Sequence, residues 1–249
     1  MPAFRVIFRL DFATANFEMC DRAGAALRVL HDAGPKFFTD LKESFQNRLV
    51  WGSNTDPEGR WFYQVQMDAL SVNFLYETAD GFSLTSIETN ERLSKFFSVS
   101  ENLLDIFKIS NLSRAGLRLW ILDSVNAGSV LDTFLGKIDG SMKDAFGNLD
   151  DEASDICLTF EGQYPDKVKY RISTGPYSND EAQKYFQHTT KAMSSKEDYN
   201  VLLDVDLFVE QFALTISPRK WARPLFRHAD NVATKVATVI SETQDAKYH

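Results

Sequence analysis

Asp204 and Asp206 stand two residues apart in Leu202-Leu203-Asp204-Val205-Asp206-Leu207-Phe208, a run that is otherwise strongly apolar. Side chains alternate between the faces of a strand, so both carboxylates share one face while Leu203, Val205, Leu207 and Val209 take the other. Such a pair can help to hold a cation or work on a ligand. A second run, Ser113-Arg114-Ala115-Gly116-Leu117-Arg118-Leu119-Trp120, puts Arg114 and Arg118 on one face with Gly116 and Trp120, where two guanidinium groups can bind an anion. In a third run, Lys167, Lys169 and Arg171 share the polar face of a strand.

Two arrangements fit these charges. In one, Arg114, Arg118, Lys169 and Arg171 pair with Asp204 and Asp206 across neighbouring strands, each opposite-charge pair stabilising by roughly 0.2–1 kcal/mol. In the other, Arg114, Arg118, Asp204 and Asp206 meet in a cleft around an anionic small molecule or nucleotide. The first takes precedence. Mg²⁺ can be bound through one or two carboxylates with water and phosphate oxygens, but no third acidic or histidine ligand is placed by local spacing, so neither a metal nor a cofactor is expected. No catalytic residue is assigned: the chain has no Gly-x-Ser-x-Gly elbow, no His-Glu-x-x-His and no Gly-rich phosphate loop. His228, four residues before Val232, reads as a boundary residue of a packed helix. Trp51, Trp61, Phe62 and Tyr63 read as core and sheet surface before they read as a base-stacking platform.

The elements that position these residues follow from periodicity. Phe4, Val6, Phe8, Leu10 and Phe12 alternate with Arg5, Arg9 and Asp11, a half-buried strand. Asn16 caps a helix that ends at His31-Asp32-Ala33-Gly34-Pro35, and a second short helical run contains Phe37, Phe38 and Leu41. Strands are predicted at 48–51, 61–68, 70–77 and 82–88, with turns at 54–59 and at Ala79-Asp80-Gly81. A helix over 91–109 with a break near Ser98-Val99-Ser100, a strand over 113–122 and a helix over 129–146 follow. Strands around Ile156–Phe160 and Val168–Ile172 turn at Pro165-Asp166. After the acidic strand, Ser217-Pro218 opens a last helix with the apolar stripe Leu225, Val232, Val236, Val239 and Ile240, bent early by Pro224.

A chain of 249 residues that is 44% hydrophobic can fill a sizeable core. Its net charge of −8 opposes broad attachment to nucleic acid, which needs concentrated Lys and Arg. Cys20 and Cys157, far apart, make neither a disulfide framework nor a zinc site. With no apolar run of membrane-spanning length and a first strand that begins at once, a cytoplasmic protein is expected.

The Arg-hydrophobic-Gly-hydrophobic-Arg pattern at 114–118, the Asp-hydrophobic-Asp pattern at 204–206 and a last helix containing Arg227-His228-Ala229-Asp230-Asn231 occur in this order along most of the chain. In this the chain resembles a sporadically distributed family of uncharacterised bacterial proteins of about this length. It departs from that family at Trp120, where many relatives continue toward Asn, and at Arg227, where Leu is common. The resemblance carries over no catalytic activity. A scattered distribution implies mobile or accessory genes, including conflict or defence systems.

The expected fold is α+β: antiparallel sheet segments in two tightly joined halves, 1–125 and 126–249 of a single domain, covered by amphipathic helices with the long C-terminal helix closing one side. The expected function is a non-enzymatic binding or interaction protein with a protein partner, neither a membrane nor nucleic acid at large, and an accessory part of a bacterial conflict or defence system. The alternative is an enzyme or sensor that takes an anionic small molecule or nucleotide on the Arg114, Arg118, Asp204 and Asp206 face, with Lys169 and Arg171 as further ligand-binding candidates.

Overall fold

The first strand sets the plan of the molecule. In β1 (Ala3–Phe12), Val6, Phe8 and Leu10 are wholly buried while Arg5, Ile7, Arg9 and Asp11 turn to the other side, the two-residue period of a strand with one dry face. The computed structural model describes residues 1–34, 37–44, 49–124, 130–136, 155–178, 184–193, 200–213 and 217–245. Among them β1 is the middle strand of a nine-stranded sheet that is antiparallel throughout and does not close into a barrel. On one side of it lie β2 (Asp40–Ser44), β3 (Leu49–Thr55), β4 (Trp61–Met67) and β5 (Ser71–Phe82). On the other lie β6 (Asn111–Asp123), β7 (Leu158–Gln163), β8 (Lys169–Pro176) and β9 (Val201–Ala213). The order across the sheet is β2-β3-β4-β5-β1-β6-β9-β8-β7. Strands from both ends of the chain thus share one sheet, joined where β6 runs against β9 from Asn111↔Ala213 to Asp123↔Val201.

One face of the sheet is covered by helices. The described helices are α1 (Phe17–Asp21), α2 (Ala23–Asp32), α3 (Glu91–Ile106), α4 (Val130–Leu135), α5 (Thr190–Met193) and α6 (Pro218–Asp245). The Asn16 side chain caps α1 by accepting from the Met19 amide at 3.1 Å, and Asn90 caps α3 by accepting from Arg92 and Leu93, each cap contributing about 1 kcal/mol. Phe8 meets Phe96 and Phe97 of α3 edge-on at 5.3 Å and Trp221 of α6 at 5.7 Å. α6 presents Ala222, Leu225, Phe226, Ala229 and Ala233 as its buried stripe and packs on β6, β9 and α3. Each fully buried Leu or Phe in this layer contributes roughly 1.5–3 kcal/mol, so the helix layer fixes which sheet face stays free.

The helix capped by Asn16 divides at Arg22 into α1 and α2, and the register shift between Ala3 and Arg5 puts Phe4 in a different cluster from Val6 and Phe8. Four further local expectations change. The run with Phe37, Phe38 and Leu41 is not helical: β2 begins at Asp40, and Phe38 and Leu41 close over Gly52 of β3, where a Cβ would approach either side chain to 2.9 Å. An apolar spacing of three and four was satisfied by packing across strands instead. The turn at Ala79-Asp80-Gly81 is absorbed into β5 by a register shift opposite Ala3 and Arg5, with Gly81 at φ +68 and Pro2 within 2.9 Å of a would-be Cβ; only glycine fits there. The segment after it forms a 3₁₀ helix, Leu84–Thr89, rather than a strand, and α3 runs unbroken through Ser98-Val99-Ser100. Of the predicted helix over 129–146, residue 129 and residues 137–146 lie outside the described residues.

Candidate functional site

The face opposite the helices carries the charged residues, and the strand register arranges them in rows. One row runs Glu77 (β5), Arg5 (β1), Trp120 (β6), Asp204 (β9), Ser173 (β8); the next runs Leu75, Ile7, Arg118, Asp206, Arg171, ending at Glu161 on β7. A third runs Asn73, Arg9, Gly116, Phe208, Lys169. Arg114, Arg118, Asp204, Asp206, Lys169 and Arg171 therefore all lie on one surface, as alternation requires. Lys167 does not join them: it sits in the β7–β8 turn at φ +68.

The arginines pair diagonally, not straight across. Arg118 Nε donates to Asp204 Oδ1 at 2.9 Å and Nη2 to Oδ2 at 2.5 Å, one position along from the Asp206 that faces it. Arg114, opposite Glu210, instead lies along the strand above Gly116, stacks its guanidinium 4.3 Å from the centre of the Phe208 ring and donates Nη2 to both oxygens of Asp206 at 3.2 and 2.9 Å. Gly116 lies beneath this path: a Cβ there would press on Phe208 Cβ at 3.2 Å and on the Leu207 carbonyl at 3.3 Å, and would meet Arg114 Nε in ordinary contact at 3.8 Å. Lys169 and Arg171 pair not with the aspartates but with Glu210 at 2.6 Å and Glu161 at 3.3 Å. Burial raises the Asp206 carboxyl above its ordinary range against the pull of Arg114 and Arg118, and the hydrogen bond to Asp204 raises Arg118. Around Arg114 and Phe208 the surface dips into a groove of about 440 Å³, walled by Lys169, Glu210, Arg171 and Glu161. Three cations and three carboxylates line it, so its charge is close to neutral.

The row beginning at Glu77 is covered. Residues 184–193, ending in α5, lie over it as a strap, with Phe186 and Met193 buried against Phe4, Trp120 and Leu122. Glu77 is 0% exposed. Its Oε1 accepts from the His188 amide at 2.9 Å and from the Thr189 amide and hydroxyl, both at 2.8 Å. Its Oε2 stands 3.7 Å from Arg5 Nη1, and Arg5 also donates to the Tyr185 carbonyl and lies 4.2 Å over the Trp120 ring. Burial lowers the Arg5 pKa, with Glu77 opposing that shift. His188 stacks on Phe62 at 3.6 Å, and its partial burial lowers its pKa, with Glu77 opposing that shift. This clasp was not singled out from the sequence. The pattern put Arg5 on the polar face, but the strap that buries Glu77 comes from more than 100 residues away in the chain.

On the helix side, His228 Nε2 meets Asp166 Oδ2 at 2.8 Å while Tyr164 stacks flat on the imidazole at 4.0 Å. His228 is a boundary residue that ties α6 to the β7–β8 turn. The aromatic run divides: Trp61 stacks on Tyr63 at 5.6 Å beneath Arg92, while Phe62 takes the opposite face. Among the described residues no three His, Cys, Asp or Glu side chains converge as metal ligands, and no helix is long and apolar enough to cross a membrane. Searched against protein-family models and curated proteins, the chain matches none.

Proposed function

We propose that this protein is a non-enzymatic binding protein that takes a partner protein on the open face of its sheet, around the Arg114–Phe208 groove. The observation that carries this reading is the pairing of all four candidate cations, Arg114, Arg118, Lys169 and Arg171, with carboxylates of the same face. An anion entering the groove would compete with a carboxylate already in place for each guanidinium. A protein surface of alternating charge meets the same ladder without displacing its pairs, and complementary charge at a partly exposed rim gives specificity more than affinity.

Affinity capture from cells of the source organism tests it, comparing the wild-type chain with the double charge reversal Lys169→Glu, Arg171→Glu and with a control reversal of Arg219 on α6. The same partner should be retained by wild type and control and lost from the ladder variant. A nucleotide or phosphate panel, with and without Mg²⁺, should leave the melting midpoint unmoved, because only a ligand that binds the folded state raises it. A clear rise that Arg114→Ala removes would replace this reading with the small-anion one. Turnover of any substrate, abolished by one substitution on this face, would sink it as well. The link to conflict or defence genes implied by the resemblance is a separate proposal, tested by whether the captured partner is encoded beside this gene.

A further inference from the structure

We infer that β7 is a self-pairing edge and that two copies of this chain join through it into one continuous sheet. This does not rest on the partner proposed above. Among the described residues the sheet has two ends, and they differ in chemistry. β2, at one end, packs three charged residues, Asp40, Lys42 and Glu43, into five positions. That is how natural edges are kept from pairing. β7, at the other, is Leu-Thr-Phe-Glu-Gly-Gln, with neither Lys nor Pro, and its one charge, Glu161, is held by Arg171 at 3.3 Å. From Thr159 to Gln163 every residue is exposed, and Phe160 is 57% exposed, a large apolar side chain left open on the helix side.

The backbone gives the register. The Tyr164 amide donates to the Val168 carbonyl at 2.8 Å, closing the β7–β8 hairpin. Alternation along an antiparallel ladder then turns the amides and carbonyls of Phe160 and Gly162 toward β8 and those of Thr159, Glu161 and Gln163 off the edge. A second β7 can meet this edge about a two-fold axis centred on Phe160. Thr159 then exchanges both backbone hydrogen bonds with Glu161 of the other copy, and the reverse. Phe160 lies against its own copy in the close non-hydrogen-bonded position, and Leu158 lies opposite Gly162, over which the Tyr170 ring of that copy is laid in place of a side chain. No like charges face each other. Moving the axis to Glu161 would oppose two carboxylates, which is unfavourable. The contact closes on itself, as a two-fold interface does, and leaves both helix layers on one side and both Arg114–Phe208 grooves on the other.

A six-residue edge is a small interface, so the dimer should be weak, with a Kd of roughly 10–100 µM. Sedimentation of the full chain across that range should show mass rising from one to two copies. Phe160→Lys should weaken the dimer by roughly tenfold or more, because two ammonium groups would meet on the axis, while the melting midpoint stays put. In a Cys20→Ser, Cys157→Ser background, Phe160→Cys should form an intermolecular disulfide on mild oxidation, since close antiparallel pairs fall within disulfide reach; Glu43→Cys on β2 should not. The crosslink decides the matter even if Phe160→Lys fails to fold. A chain that stays monomeric throughout, a dimer indifferent to Phe160→Lys, or no crosslink at Phe160 would each overturn the inference. None of these results depends on whether the open face binds a partner.

Discussion

Among the described residues Glu77 is the most constrained charge: fully buried, with three donors on one oxygen and the Arg5 guanidinium beyond the other. Removing one partner of a buried ion pair leaves the other uncompensated, at about 3–5 kcal/mol. Glu77→Ala should cost that much in urea unfolding and expose the strap to trypsin at Lys184 and Lys191. Glu77→Gln keeps an acceptor for the strap amides and loses only the charge facing Arg5, so its cost should be nearer 1–3 kcal/mol. If both substitutions leave the unfolding midpoint and the cleavage pattern unchanged, Glu77 does not clasp the strap. Gly116 shows the opposite kind of constraint. There a Cβ would press on Phe208 Cβ at 3.2 Å and on the Leu207 carbonyl at 3.3 Å, so the close packing of β6 on β9 gives the glycine of Arg-x-Gly-x-Arg a steric meaning.

At the scale of elements, faces were legible and partners were not. Alternation alone assigned Asp204, Asp206, Arg114 and Arg118 to one side of their strands, because a period of two is a local property. It could not assign Lys169 to Glu210 or Arg171 to Glu161, because register is set by which strands become neighbours. The short helix expected around Phe38 and Leu41 failed for the same reason: its apolar residues serve contacts with β3. The joint between α6 and the β7–β8 turn was half legible. His228 was placed at the helix boundary, but its partner Asp166 lies in a turn whose position depends on the whole hairpin. The hydrogen bond to His228 lowers the Asp166 pKa, its small burial opposing. A carboxylate depressed in the folded state contributes stability above its ordinary pKa and loses it as pH falls through the folded value. Wild type should therefore melt above Asp166→Asn at neutral pH, and the two curves should converge in acid below that depressed value. Parallel curves at every pH would show that this pair does not link α6 to the hairpin.

Across the whole molecule the sheet is unevenly supported. β1, β6 and β9 lie under α3 and α6, with Val6, Phe8, Leu117, Leu119, Val205 and Leu207 fully buried. β5 is held by the strap on its other face as well. Among the described residues β7 has one neighbouring strand and none of its own residues is buried. Local opening free energies follow such differences in burial, from near zero at frayed edges to the global value in the core. Native-state hydrogen exchange should therefore rank β1 and β6 slowest and β7 among the fastest, with β5 slow only while Glu77 clasps the strap. Concentration adds a discriminating condition. In a dilute sample the outward amides of Thr159, Glu161 and Gln163 should exchange freely. If two copies pair at this edge, Thr159 and Glu161 alone should gain protection as concentration rises, because Gln163 lies beyond the paired stretch centred on Phe160. Uniform protection across β7 at every dilution would mean that the edge is closed within one chain, and the sheet would then owe its stability at that end to the monomer.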